Sequence, residues 1–324
     1  VKGIVLINLG TPVSPKVPDV RRYLHEFLTD GRVIDSPWLQ RQLLVRGVIV
    51  PKRVKESART YKEIWSESGS PLLVYGRKVQ KLLQRKAGDE YKVVLGMRYQ
   101  RPSIEDALRE VQKCESITIL PLFPQYASAT TGSVIEEVMR IVGSWKFIPE
   151  LRFINEFATH PGFIKAFAEQ IKSYDFEHVL FSFHGLPVSQ LPKDQFLCYK
   201  QQCIDGAAAM ALEANLFSYS LSFQSRLGKE PWLEPFTIDT VECLAKQGIK
   251  KLLVVCPSFI CDCLETLYEI SYENREVFLE AGGEELTLCS SLNDSPLWIE
   301  ALGDIVGLST IPQHNRTHHT YVLP

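Results

Sequence analysis

The segment Phe181-Ser182-Phe183-His184-Gly185-Leu186-Pro187 sets an imidazole at the end of an apolar run, directly before a glycine and a turn-forming proline. Open α/β sheets bind ligands in the crevice beyond the carboxyl ends of their strands, so a strand ending on histidine delivers a titratable ring there. A lone histidine after a strand is more often a structural residue than a catalyst. A second segment bears on that choice. The apolar run Lys251-Leu252-Leu253-Val254-Val255-Cys256-Pro257-Ser258-Phe259 leads into Asp262-Cys263-Leu264-Glu265-Thr266-Leu267-Tyr268-Glu269-Ile270, so another strand delivers carboxylates. If both strands share one parallel sheet, imidazole and carboxylate meet across a cleft. That donor pair suits divalent iron, cobalt or zinc. It suits proton removal equally, because the imidazole accepts a proton and the carboxylate stabilises the imidazolium that results.

Asp262, Glu265, Glu269, Glu273 and Glu276 recur at helical spacing and are expected to share one helical face. Capping and the helix dipole account for carboxylates in a first turn, Asp262 and Glu265 forming a capping-box pattern. They do not account for Glu269, Glu273 and Glu276, which make either a solvated face or a path lined with oxygen ligands for cations. Cys261 and Cys263 lie beside this segment, as metal contacts or as buried free thiols. Two further segments are dense in polar and aromatic groups. LPLFPQYASATTGS (residues 120–133) ends a strand with prolines and then supplies hydroxyls, which could cap the next helix or orient a polar ligand edge. FQSRLGKEPWLEP (residues 223–235) runs from strand to loop with rings and a guanidinium.

These segments need elements to position them. Residues 3–9, 91–95, 116–122, 178–183 and 250–256 read as buried parallel strands, several β-branched and closed by Gly or Pro. Residues 104–114, 133–142, 162–173, 198–214 and 235–248 read as helices. Strand and helix alternate, which predicts α/β architecture with parallel sheets covered on both faces. The length of 324 residues suits two domains. We place an N-terminal domain at 1–150 and a C-terminal domain at 151–310, similarly wound but without a convincing sequence repeat, followed by a loose tail at 311–324 holding His314, His318 and His319.

Composition narrows the function. A formal net charge of −2 argues against a general polyanion binder, and nucleic acid is not an expected partner. The GxGxxG and GxxxxGK[ST] signatures are absent. No apolar run is long enough to span a membrane and no signal peptide is indicated, so a cytoplasmic protein is expected. Eight dispersed cysteines without a CxxC pair suit reduced thiols. Residues 36–55 mix Trp38, Leu39, Leu43, Leu44, Val48, Ile49 and Val50 with Arg41, Arg46, Lys52, Arg53 and Lys55. They read as a helix with a solvated basic face, or as a lip for anionic lipid or an apolar, carboxylated ligand.

Together the motifs resemble the ferrochelatase family, whose members insert ferrous iron into a porphyrin. The resemblance covers nearly the whole chain: LINLGTP (6–12), RYLHEFLTD (22–30), YKEIW with GSPL (61–72), GMRYQRPSI (96–104), LPLFPQYASATTGS, FSFHGLP (181–187), FQSRLGKEPWLEP and DCLETLYEI (262–270). DCLETLYEI, with Cys263 where some relatives carry histidine, is similar to the branch common in Gram-negative bacteria. The resemblance implies two Rossmann-like doubly wound domains with the active-site cleft between them. It implies protoporphyrin IX and ferrous iron as substrates, His184 as acceptor of pyrrole protons and metal contact, and Glu265 as its catalytic and metal-binding partner. Glu269, Glu273 and Glu276 would extend an acidic path for iron or protons. Arg53, Ser70, Tyr126 and Ser128 would contact the porphyrin, and residues 36–55 would form an apolar lip, with peripheral contact at the inner face of the membrane. Some relatives hold a [2Fe-2S] cluster in a carboxyl-terminal cysteine group; the last cysteine here is Cys289, so no cluster and no permanent cofactor are expected. A chelatase for another tetrapyrrole such as coproporphyrin, and a haem or metal carrier on the same fold, are the alternatives.

Overall fold

The computed structural model describes residues 1–191, 198–228 and 230–308, and the tail at 311–324 lies outside them. Two four-stranded sheets, both wholly parallel, organise the chain. The first holds β1 (Lys2–Gly10), β2 (Tyr91–Tyr99), β3 (Ser116–Pro121) and β4 (Glu150–Phe153) in the order β2-β1-β3-β4. The second holds β5 (His178–His184), β6 (Tyr219–Gln224), β7 (Lys251–Val255) and β8 (Glu285–Leu288) in the order β6-β5-β7-β8. The orders are identical once each sheet is numbered from its own first strand. The two halves therefore repeat in topology although they do not repeat in sequence. The first sheet runs to Phe153, so the division placed at residue 150 falls inside β4.

The strands expected from apolar runs are the central ones plus β2. The edge strands β4 and β8 escaped, and β6 was read only at its end in residues 223–224, because each is half open to solvent, with burial running exposed to buried along β6 and scarcely reached in β4. A strand covered on both faces reads as one apolar run; an edge strand loses that signature.

Helices connect the strands. The first half carries α1 (Val17–Leu28), α2 (Trp38–Leu44), α3 (Val50–Ile64), α4 (Pro71–Ala87), α5 (Ile104–Val111) and α6 (Ser133–Val142). The second carries α7 (Pro161–Ile171), α8 (Tyr199–Glu213), α9 (Thr237–Lys246), α10 (Leu264–Leu267), α11 (Arg275–Glu280) and α12 (Pro296–Val306). Local chemistry starts several of them. Ser103 and Asp106 form a capping box on α5, and Ser295 accepts from the Trp298 N–H ahead of α12. Prolines open α4, α7 and α12, where a missing N–H costs nothing. π-helical turns occupy Val45–Ile49, Ser128–Gly132 and Glu269–Asn274.

One apolar cluster takes side chains from both sheets and from α4, α7, α8 and α12, including Leu6, Val79, Phe167, Phe181, Met210 and Trp298. The two halves thus share a continuous core. Separate clusters cover the far face of the first sheet with α5 and α6, and the far face of the second with α9 and α11. A fourth joins α1 and α3 to Tyr99 and to Leu264, Leu267 and Tyr268 of the α10 region.

Two contacts fix the edge of the first sheet. At Gly10, with φ +113°, an added Cβ would lie 2.0 Å from the Tyr99 carbonyl oxygen, so only glycine fits there. Beyond it, the Asp30 carboxylate gathers donors from three elements: Arg98 Nη2 at 2.7 Å, Tyr99 Oη at 2.8 Å, Ser133 Oγ at 2.6 Å and the Arg32 N–H at 2.8 Å. Burial works to raise the pKa of Asp30, but the Ser133, Arg32, Arg98 and Tyr99 interactions outweigh it and hold the carboxyl below its usual range. A depressed carboxyl adds stability above its unfolded value of about 4, and that stability is lost as pH falls through the lower folded value. Asp30→Asn should therefore flatten the loss of stability below about pH 4, read as the urea midpoint against pH. Parallel curves for the two proteins would show that Asp30 carries no such linkage.

Candidate active site

Each sheet reverses its winding between its first and third strands, β1 and β3 in one and β5 and β7 in the other. At such a switch point the connections leave in opposite directions and open a crevice beyond the carboxyl ends. His184 is the last residue of β5, and the loop after β7 leads to Glu265, so both stand at the switch point of the second sheet. The shared sheet on which their meeting depends is present.

His184 is held through its backbone. Its N–H donates to Ser258 Oγ at 3.3 Å, and its carbonyl accepts from the Tyr199 hydroxyl at 2.7 Å. The ring lies edge-on to Phe259 at 6.2 Å. Burial lowers the imidazole's affinity for protons, against the opposing pull of the Glu265 charge. The ring is thereby held neutral, able to accept a proton or bind a metal through a free nitrogen.

Glu265 sits in the first turn of α10, whose start is built on Thr266. The Cys263 N–H donates to Thr266 Oγ1 at 3.0 Å. The Glu265 carbonyl is tied to the strand beside His184, because Gln224 Nε2 donates to it at 2.8 Å. Gln224 pairs with His184 in the β5–β6 register, its Oε1 accepts from Ser182 Oγ at 2.8 Å, and its carbonyl accepts from the Gly185 N–H at 2.8 Å. One buried amide thus links the imidazole-bearing strand to the carboxylate-bearing helix. Sequence reading quoted Gln224 only as a letter in FQSRLGKEPWLEP; its role depends on which strand lies next to β5.

The acidic stripe is not one continuous face. Asp262 is turned inward into a network with the loop after β8, away from the other carboxylates. Glu269 is anchored: it accepts from the Ser225 N–H and Ser225 Oγ, both at 2.6 Å, and from Gln224 Nε2 at 3.2 Å. Burial raises its proton affinity despite these bonds. Burial and the Glu269 charge together raise that of Glu273, which is exposed, as is Glu276. The π turn Glu269–Asn274 has a longer repeat than an α-helix and so breaks the spacing on which a single-face reading rests. What remains is a series in which Glu265 acts electrostatically on Glu269, and Glu269 on Glu273, from interior to surface.

Tyr23 and Tyr61, from α1 and α3, form a wall beside Glu265. Their rings meet edge-on at 6.2 Å, and both phenols are raised by burial, with the Glu265 charge adding to the effect. Sequence reading did not single them out, since each is an ordinary apolar-face position of its helix.

The expected porphyrin contacts are dispersed. Tyr126 lines a recess of about 330 Å³ with Arg32, Gly132, Ile135, Glu136 and Met139, and Ser128 accepts from Arg32 Nη1 at 3.0 Å. Ser70 is buried, and its hydroxyl accepts from Thr11 Oγ1 at 2.8 Å. Arg53 is exposed on α3. In residues 36–55 apolar and basic side chains are exposed together: Trp38 is 66% exposed and Leu43 67%, Arg46, Lys52, Arg53 and Lys55 also face solvent, and Val45 and Val50 are buried. Arg41 turns inward to donate to the carbonyls of Thr29, Ile34 and Ser36. Among the described residues, no group of three or more His, Cys, Asp and Glu side chains is placed to hold a metal ion. No described helix is long and apolar enough to cross a membrane.

Solved structures share this architecture. SirB from Bacillus subtilis, determined with Fe3+, covers 94% of both chains with a TM-score of 0.55 at 14% identity. The sirohydrochlorin chelatase SirB from Bacillus subtilis subspecies spizizenii, in complex with cobalt, gives 0.53 at 12% identity over 94% of both chains. At that identity the likeness speaks for the fold alone. Sequence comparison goes further. The chain is 43% identical to a ferrochelatase of Legionella pneumophila strain Paris, over 94% of this chain and 98% of the relative. It is 42% identical to one from Coxiella burnetii strain Dugway 5J108-111, over 93% and 91%. The ferrochelatase family model matches residues 1–309. With a parallel sheet that brings His184 and Glu265 together and a match of this extent, the chain belongs to the ferrochelatase family.

Proposed function

We propose that this protein inserts ferrous iron into protoporphyrin IX with release of two protons, His184 and Glu265 acting on the metal and the pyrrole nitrogens. The observation that carries the reading is the placement of a half-buried imidazole at the end of β5 and a carboxylate just beyond β7 at one switch point. Iron is a substrate here, and no resident cofactor or [2Fe-2S] cluster enters the reading. A pair of protein ligands leaves most of an ion's coordination positions open, which suits an ion that must be passed on.

The chemical obstacle is geometric. A flat porphyrin points its nitrogen lone pairs into the ring plane and carries two N–H protons where the metal must go. A cleft complementary to a bent ring favours the distorted form and lowers the barrier. The neutral His184 takes a pyrrole proton, Glu265 stabilises the imidazolium, and the two displaced protons leave by way of Glu269, Glu273 and Glu276. The inside-to-outside order of those carboxylates supports the direction. Arg53, Ser70, Tyr126 and Ser128 are assigned to the porphyrin's polar edge. The exposed apolar side of α2, with Arg46, Lys52, Arg53 and Lys55 following, is assigned to an anionic membrane surface on the cytoplasmic side, from which an apolar porphyrin would enter.

Zinc insertion into porphyrin, followed by fluorescence, tests the centre. His184→Ala should lower kcat by about a hundredfold or more while porphyrin binding is kept. Glu265→Gln should impair insertion with little change in folding. Near-normal turnover in either removes that residue from the mechanism, and faster turnover of coproporphyrin than of protoporphyrin would reassign the substrate. For the surface, sedimentation with vesicles containing anionic lipid should fall for a Trp38→Ser, Leu43→Ser double variant, and fall again in high salt. Equal sedimentation of variant and parent would remove the membrane assignment.

A further inference from the structure

We propose that Asp262 is a positioning residue for metal insertion, latching the loop that carries Glu265 onto the loop after β8 through Asn293. The inference rests on the iron-insertion reading and extends it to a residue that touches neither metal nor porphyrin.

Asp262 is only 6% exposed, and its carboxylate is surrounded by donors. Asn293 Nδ2 donates to Oδ2 at 2.7 Å, the Ser291 N–H to Oδ1 at 3.0 Å, and Thr266 Oγ1 to Oδ1 at 3.2 Å. In return the Asp262 N–H donates to Asn293 Oδ1 at 2.9 Å, and the Asn293 N–H to the Ile260 carbonyl at 2.8 Å. The two loops are thus stitched by bonds in both directions. Asn293 holds φ +47°, a conformation that asparagine tolerates better than most residues, so its side chain is aimed at a backbone cost.

The latch has an output and an anchor. Its output is Thr266, wholly buried, which takes the Cys263 N–H and so sets the first turn of α10 where Glu265 stands. Its anchor is the segment entering α12, which packs against α7 and crosses to α4 in the other half of the molecule. Gln224 fixes Glu265 from the His184 side; Asp262 fixes it from the shared core. Without the latch, Glu265 keeps one tether and gains freedom to leave the line to His184. Outer-shell groups that orient a ligand typically change metal affinity or activity by about ten- to a hundredfold when removed.

The side-chain chemistry supplies a sharp test. In Asp262→Asn, the new amide NH2 meets either the NH2 of Asn293 or the Ser291 N–H, and turning Asn293 to escape the first clash forfeits the bond from the backbone of residue 262. Exchanging the pair, with Asp262→Asn and Asn293→Asp together, restores every donor and acceptor. Asn293→Gly removes the latch by another route and keeps the positive φ. Each protein is assayed for zinc insertion into porphyrin and, separately, for Co2+ binding without porphyrin.

Asp262→Asn and Asn293→Gly should each lower kcat about tenfold or more, weaken Co2+ binding by a similar factor and leave KM for porphyrin within about twofold. The exchanged pair should recover most of both losses. Wild-type kcat and Co2+ affinity in either single variant, or an exchanged pair that stays at the level of Asp262→Asn, would overturn the latch. So would a loss in Asn293→Gly that appears equally in kcat, KM and folded fraction, as a purely structural role requires. Failure of the parent protein to insert zinc would instead sink the iron-insertion reading, and the Co2+ titrations would still report on the latch.

Discussion

The parallel pairing of β5 with β7 is the constraint from which the rest of the site follows. It puts His178 beside Leu252 and Phe181 beside Val255, so that the two strands end at one edge and their connections leave on opposite sides. A histidine reached through one strand and a glutamate reached through the other are brought together from segments far apart in the chain. Their proximity has a chemical consequence in the opposing influences on His184. Burial makes the imidazole reluctant to hold a proton, and the neighbouring carboxylate restores part of that ability. A base that takes protons from a ring and then releases them needs both influences.

The duplication of the sheet order gives this site its counterpart. The first half places Thr11 after β1 and Tyr126 and Ser128 after β3, at the equivalent switch point, and its helices α1 and α3 bring Tyr23 and Tyr61 against Glu265. Under the proposed function, one half supplies the reacting groups and the other the wall and hydroxyls. The shared core around Trp298 holds the halves in register, which matters for a reaction that requires a large ring to be held in a distorted shape.

Several side chains that look alike in the sequence have different tasks in the fold. Among the carboxylates spaced from Asp262 to Glu276, Asp262 ties two loops, Glu265 acts electrostatically on His184, Glu269 clamps the end of β6 through Ser225, and Glu273 and Glu276 meet solvent. Helical spacing identifies neighbours only where the helix is regular, and the π turn at Glu269–Asn274 removes that regularity. The same holds in residues 36–55. Composition names the apolar and basic residues but not which of them point outward, and the inward turn of Arg41 toward three carbonyls leaves Trp38 and Leu43 on the surface.

Much was legible in the amino-acid order alone. The central strands were visible because burial on both faces demands unbroken apolar runs, and the reactive types at 184 and 265 because they end or follow such strands. Local signals of this kind are set by neighbours in the chain. The edge strands β4 and β8, the start of β6, the Gln224 bridge, the Tyr23 and Tyr61 wall and the inward turn of Asp262 were decided only by tertiary structure. Each depends on what a distant segment packs against it, and a side chain's partner across a sheet or a core leaves no mark on its own stretch of sequence.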